Sequence, residues 1–202
     1  MDNRIPVRLT LVSASPRRRE LLSTLGIPFD VQPTHAEELL EGADPQELAV
    51  RNARLKVERS SFFEDRSRLL LGADTIVTID GRMFGKPGDV NSARDMLSAL
   101  SGREHEVITG ICLSGPALQA GERHIIQSAS VSRVRFRDLP PRDIDNYLAG
   151  REWIDKAGAY AIQGLGGALI SHLDGDFNNV VGLPLHLIHD LLSTHYSHCR
   201  FL

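Results

Sequence analysis

A chain of 202 residues suits one ordinary domain or two small lobes and excludes a long multi-domain assembly. Apolar residues at 42% and charged residues at 24% are globular proportions, and no segment reaches the roughly 18 uninterrupted apolar residues of a membrane span, so a soluble protein without a membrane partner is expected. With 23 basic and 26 acidic residues the net charge is −3, which argues against nucleic-acid binding by bulk positive charge but leaves room for a local basic pocket that takes a small anion.

The first fifteen residues, MDNRIPVRLTLVSAS, lack a basic start, a long apolar run and a small-residue cleavage site, so no secretory signal is read and cytoplasmic residence is expected. Apolar Val7 to Val12 predicts a buried strand. It meets Ser13-Ala14-Ser15-Pro16, where Ser15 can cap a helix and Pro16 can fill its first turn. That helix is expected to run to about Leu25, with Leu21, Leu22 and Leu25 as its apolar face and Gly26 and Pro28 as stop signals. Asp44-Pro45-Gln46-Glu47 is a reciprocal capping pattern for a second helix ending near Arg59. Leu69 to Ile79 reads as an apolar strand, and Asp80-Gly81 as the hairpin turn that leads to Met83 and Phe84. A short amphipathic helix over 92–100, strands over 105–113 and 124–137, a helix from Pro141 to Ala149, a strand from Ala168 to Leu173 and a helix from Leu185 to Leu192 complete an alternating α/β pattern. Cys112 and Cys199 are too few for a disulfide framework and have no zinc-ligand spacing.

Chemistry concentrates in three places. Ser13 to Glu20 puts hydroxyls, helix-start N–H groups and the guanidinium groups of Arg17, Arg18 and Arg19 at a strand-to-helix turn, a geometry suited to phosphate, although Ser-Pro also opens many helices with no ligand. Leu71 to Val77 carries one carboxylate, Asp74, inside an apolar strand; burying it unpaired would cost several kcal/mol, so a metal ion, a lysine or a catalytic water must meet it. Gly85-Lys86-Pro87 can offer a point charge to phosphate, but it lacks the Ser/Thr of a P-loop. In Asp155 to Gly164 polar side chains alternate with small residues, and Gln163 has the donor and acceptor needed to read a planar base. His186 and His189 can share a helix face but have no further ligand in view, so packing or surface roles are expected for them.

In this order, Ser13-Ala14-Ser15-Pro16-Arg17-Arg18, Gly72-Ala73-Asp74-Thr75-Ile76-Val77, Gly85-Lys86-Pro87, Leu100-Ser101-Gly102, Thr109-Gly110, Asp155-Lys156-Ala157-Gly158-Ala159-Tyr160, Ile162-Gln163-Gly164 and Asn179-Val180-Val181-Gly182-Leu183-Pro184 resemble the motifs of the Maf family of nucleoside triphosphate pyrophosphatases over nearly the whole chain. The resemblance implies one Maf-like domain over residues 1–202. Its α/β fold is expected to be bilobed, with an elongated mixed sheet flanked by helices and a cleft between lobes, related to the inosine triphosphate pyrophosphatases, and to form a homodimer.

The motifs look like those of the branch acting on thymidine and uridine triphosphates. Carried over position by position, the resemblance implies a catalytic acid/base at Asp74, specificity residues at Arg17, Thr75 and Gln163, phosphate binding by Ser13 and Arg18, cleft lysines at Lys56 and Lys86 that with Arg17 and Arg18 would stabilise the triphosphate, and a cleft glutamate at Glu38. Over Thr34-His35-Ala36-Glu37-Glu38 the register is looser, because His35 stands where the family carries an acid, and Glu37 is the alternative. Water would attack the α-phosphorus and pyrophosphate would leave. Asp74 and Glu38 would hold Mg2+ or Mn2+, and Lys86 would act with Asp74 in the catalytic set. The competing reading is a non-catalytic nucleotide sensor that regulates cell division. A carboxylate beside an anionic ligand separates the two, since it repels phosphate unless a metal intervenes. A Rossmann-type enzyme is set aside for want of GxGxxG.

Overall fold

The computed structural model describes residues 4–34, 44–116 and 123–202. In chain order the elements are β1 (Ile5–Val12), α1 (Pro16–Ser23), β2 (Phe29–Val31), α2 (Pro45–Glu58), β3 (Arg68–Ile79), β4 (Arg82–Phe84), α3 (Val90–Leu100), β5 (Glu104–Pro116), β6 (Arg123–Phe136), α4 (Pro141–Ala149), β7 (Ile170–Asp174), α5 (Phe177–Val181), α6 (Leu185–His195) and β8 (Cys199–Phe201); 3-10 turns occupy Ala157–Ala159 and Gly164–Leu169. The strand order is β2-β1-β3-β5-β6-β7, with β8 along β1 and β4 along β3. β1 is parallel to β2, β3 and β8, whereas β4 and β7 run antiparallel to β3 and β6. The sheet is therefore mixed, as expected. Among the described residues no helix is long and apolar enough to cross a membrane.

Local chemistry sets the element ends. Ser15 accepts a hydrogen bond from the Arg18 N–H and caps α1. The helix stops at Ser23, short of Leu25, because the Ser23 and Thr24 hydroxyls donate to the carbonyls of Glu20 and Leu21 and compete with continued winding. Asp44 caps α2 by accepting from the N–H groups of Gln46 at 2.8 Å and Glu47 at 2.9 Å. A full reciprocal box forms at α3, where Asp89 accepts from the Ser92 N–H and Ser92 accepts from the Asp89 N–H. This cap starts α3 at Val90, two residues before the sequence pattern does. The strand expected from Ala168 begins at Ile170, since residues 164–169 are wound as a 3-10 turn.

The chain divides into two compact units, in keeping with the expected two lobes: Met1–Asp74, Thr109–Ser130 and Gly182–Leu202 in the first, Thr75–Ile108 and Val131–Val181 in the second. In the first, strand alternation splits β3 between two cores. Leu69, Leu71 and Ala73 pack with Leu9, Leu11, Leu22 of α1 and Ile188 and Leu192 of α6. Leu70 packs the other way, with Val12, Cys112 and the α2 residues Ala53 and Val57. Helix α2 lies against the sheet at two glycines. A β-carbon on Gly72 would strike the Ala53 carbonyl and lie 2.7 Å from Val57, and one on Gly110 would strike the Ala49–Val50 backbone. In the second unit, α3 and α4 cover Val77, Ile79, Val107, Val134 and Phe136 through Ala93, Leu97, Leu100, Ile144 and Leu148.

Candidate active site

The close approach of α2 delivers two polar side chains to Asp74. On that helix Asn52 and Lys56 are four residues apart and share the face of Ala49 and Ala53. All three polar groups are buried, with Asp74 4%, Lys56 8% and Asn52 2% exposed. The Lys56 ammonium donates to Asp74 Oδ1 at 2.5 Å and to the Ala73 carbonyl at 3.4 Å, and Asn52 Nδ2 donates to Asp74 Oδ2 at 3.0 Å. Of the partners the sequence allowed for this carboxylate, the structure supplies the lysine. Each carboxylate oxygen takes one protein donor and keeps a lone pair for another guest. The desolvation of a buried ion pair is offset only by such geometry, so loss of either partner leaves an uncompensated charge. Asn52 escaped the sequence reading. Its signal was a polar pair at helical spacing on an otherwise apolar face.

At the start of α1 the Ser13 hydroxyl is buried and accepts from the Ser15 N–H at 3.2 Å and from Arg18 Nη1 at 3.4 Å. Arg18 Nε donates to the Gly182 carbonyl at 2.8 Å, which ties the first strand-to-helix turn to the segment before α6. Arg17 and Arg18 are half-buried, whereas Arg19 is exposed. Ser13, Arg18 and the capped helix start thus form one hydrogen-bonded group within the first unit, which also holds Asp74 and Lys56.

Thr75, Lys86 and Gln163 belong to the second unit. Thr75 follows Asp74 on β3 and is half-buried, while Lys86 and Gln163 are exposed. The Gly158 N–H donates to the Gly85 carbonyl at 3.2 Å, and Gly158 packs on Val77. The structure therefore joins the end of β3, the Gly85-Lys86-Pro87 turn and the loop that leads to Gln163. Beneath this loop His105 Nε2 and the Tyr160 hydroxyl lie 2.8 Å apart, and the rings of His105, Phe136 and Tyr160 meet edge-to-face. Burial holds the His105 imidazole down at about 4 and raises the Tyr160 phenol well above its usual range, so both are neutral near pH 7.

Glu38, its alternative Glu37 and the neighbouring His35 lie outside the described residues. Among the described residues no three His, Cys, Asp or Glu side chains gather as a metal site. His186 and His189 are exposed on α6 beside Asp190, at 3.4 and 3.5 Å. Cys112 and Cys199 are buried free thiols, pushed up to about 12 and about 11 by burial and hence protonated and unreactive.

The fold is shared with a solved HAM1 protein from Coxiella burnetii, at a TM-score of 0.50 and 15% identity over 93% of this chain and 98% of that one. The chain belongs to the family of Maf-like proteins, whose model matches residues 8–195. It is similar to proteins named dTTP/UTP pyrophosphatase from Clostridioides difficile, 42% identical over 95% of this chain and 96% of the relative, from Gloeobacter violaceus, 46% over 93% and 95%, and from Pyrococcus furiosus, 42% over 92% and 94%.

Proposed function

We propose that this protein hydrolyses dTTP and UTP to the nucleoside monophosphate and pyrophosphate. The observation that carries the reading is the buried Asp74, held through both oxygens by Lys56 and Asn52 in a chain whose family relatives bear that activity in their names. Water attacks the α-phosphorus, the bond from that phosphorus to the bridging oxygen breaks, and the proton of the water passes to Asp74 Oδ2. This oxygen is the better base of the two because its partner is a neutral amide, whereas Oδ1 bears the ammonium. Lys56 keeps the carboxylate in register. Ser13, Arg17, Arg18 and Lys86 bind the phosphates, with Lys86 neutralising the leaving pyrophosphate. Thr75 and Gln163 read the pyrimidine edge.

A divalent cation, Mg2+ or Mn2+, is part of this reading. The Asp74 oxygens fit it, being hard donors that each retain a lone pair, and Asp74 with Glu38 would hold it. When bound, it supplies positive charge against the triphosphate. The finer parts of the proposal are a cytoplasmic homodimer with no nucleic-acid partner, supported by the family resemblance and the mildly acidic charge.

Asp74→Asn keeps the side-chain shape and one of the two accepted hydrogen bonds but cannot take the proton. It should lower turnover by roughly 100-fold or more with nucleotide binding retained; turnover within about threefold of the parent would remove Asp74 from its role. In oxygen-labelled water the label should enter the monophosphate, and label found only in pyrophosphate would move the attack to the β-phosphorus.

A further inference from the structure

Between Arg151 and Gly164 the backbone of the second unit is unusual. Arg151, Asp155 and Ala159 have φ of +57°, +59° and +61°, and the remaining positive-φ residue other than glycine among the described residues is Asp80 in the turn after β3. Conformations that L-residues avoid persist only where the surrounding structure over-determines them. The fastenings are visible. Tyr147 OH accepts from the Ala161 N–H at 3.2 Å, and the Trp153 indole donates to the Leu148 carbonyl at 3.1 Å. Glu152 Oε2 accepts from the Gly166 N–H at 2.9 Å, while Glu152 Oε1 occupies the space where a β-carbon on Gly164 would go. Gly164 has φ +67°, so only glycine suits that position on both counts.

Gln163 sits between these two anchor points, with Ala161 fastened before it and Gly166 after it. A side-chain amide on a loose backbone can swing to present donor and acceptor in either order. It then fails to separate uracil, with O4 as acceptor and N3–H as donor, from cytosine, where the pattern is reversed. We infer that Glu152 is a positioning residue whose carboxylate, closed on the Gly164–Gly166 backbone, sets the direction in which the Gln163 amide meets the base. The inference rests on the reading of Gln163 as the base-reading amide. Among the described residues Glu152 forms no ion pair, and it accepts a charge-assisted bond from a backbone N–H, the kind of contact that holds a loop in place.

The test is the ratio of kcat/KM for UTP over CTP, measured with thermal midpoints on the full chain. Glu152→Ala should lower the ratio about tenfold, with the KM for UTP rising more than kcat falls. Glu152→Gln keeps an oxygen for the Gly166 N–H and should hold the ratio within about threefold of the parent. In a Gln163→Ala background, Glu152→Ala should change the ratio no further, because the two act as one unit. A lowered midpoint with an unchanged ratio in Glu152→Ala would make Glu152 a structural residue and overturn the inference. If that variant does not fold, Glu152→Asp shortens the reach to Gly166, and an unchanged ratio there has the same force. Should Gln163→Ala itself keep the parental ratio, the base-reading assignment falls and takes this inference with it; if only the Glu152 variants keep it, this inference alone falls.

Discussion

The Asp74 group and the Gln163 loop hold their key side chains by opposite means. Asp74 is buried on a central strand, and its direction is set by side chains from a helix pressed onto the sheet at Gly72 and Gly110. Gln163 is exposed on a segment without regular long-range structure, and its direction is set by hydrogen bonds to the backbone on either side of it. In the first region the same contacts that aim the side chain also bear on stability, so the two cannot be separated by substitution. In the second the side chain itself touches little, and the stabilising contacts lie with its neighbours. A carboxylate in a dry environment demands the first design, and an exposed amide does not.

The largest effect should come from Lys56→Met, which leaves the Asp74 carboxylate buried with Asn52 alone. Urea unfolding should show a loss of about 3–5 kcal/mol, and a loss under about 1 kcal/mol would mean that the pair behaves as a surface bridge and would dissolve the contrast. Next comes His105, beneath the Gln163 loop. Its imidazole is held down at about 4 in the folded protein against an ordinary value of 6.5. The unfolded chain therefore takes up the proton first as pH falls. The stability associated with His105 is fully present above about pH 6.5 and is lost progressively down to about pH 4, by of the order of 3 kcal/mol. Unfolding midpoints of the parent and His105→Gln should diverge at neutral pH and approach each other near pH 4.5, and parallel pH profiles would show that burial of the imidazole has no such consequence. The smallest effect on stability belongs to Gln163→Ala, within about 0.5 kcal/mol as for an exposed residue. Its kcat/KM on UTP and dTTP should nevertheless fall roughly ten- to hundred-fold. A variant that instead unfolds early with intact kinetics would reverse the roles of the two regions.

Much of the frame was legible because it is periodic or capped. The apolar run of β3, the Asp-Gly turn into β4 and the Asp44 cap of α2 follow from local rules, and the structure has each of them close to its expected bounds. β2 and β8, three residues each, and the five-residue α5 carry too little pattern to read, since tertiary pairing and not local preference makes them. At the site, the carboxylate at Asp74 stood out against its apolar strand, so its need for a partner could be argued from burial cost alone. Asn52 offered only its helical spacing from Lys56 on an apolar face, a weak signal, because an asparagine within a helix is common and only the α2–β3 packing shows which way it faces. Glu152 was silent for a similar reason: its partner is a backbone N–H fourteen residues on, a contact that leaves no mark in residue types. The roles proposed for the phosphate-binding and base-reading residues came from the motif resemblance, since residue chemistry alone left phosphate and base contacts among several readings.

β8 closes on β1, with Ile5 opposite Cys199 and Val7 opposite Phe201, and Arg18 reaches the Gly182 carbonyl. The first unit is thus assembled from chain made early and chain made late, with the second unit's residues emerging in between. During synthesis the Ile5–Val7 stretch of β1 must wait for its partner until residues 199–201 leave the ribosome, whereas Arg8–Val12 can pair earlier with β2 and β3. The order of events then favours early settling of the second unit, whose stretches are nearer in sequence, with the ladder of the first unit completed only once residues 199–201 have emerged. Contacts so distant along the chain make folding slow, and they leave the start of β1 open to chaperones or to a neighbouring nascent chain until residues 199–201 arrive.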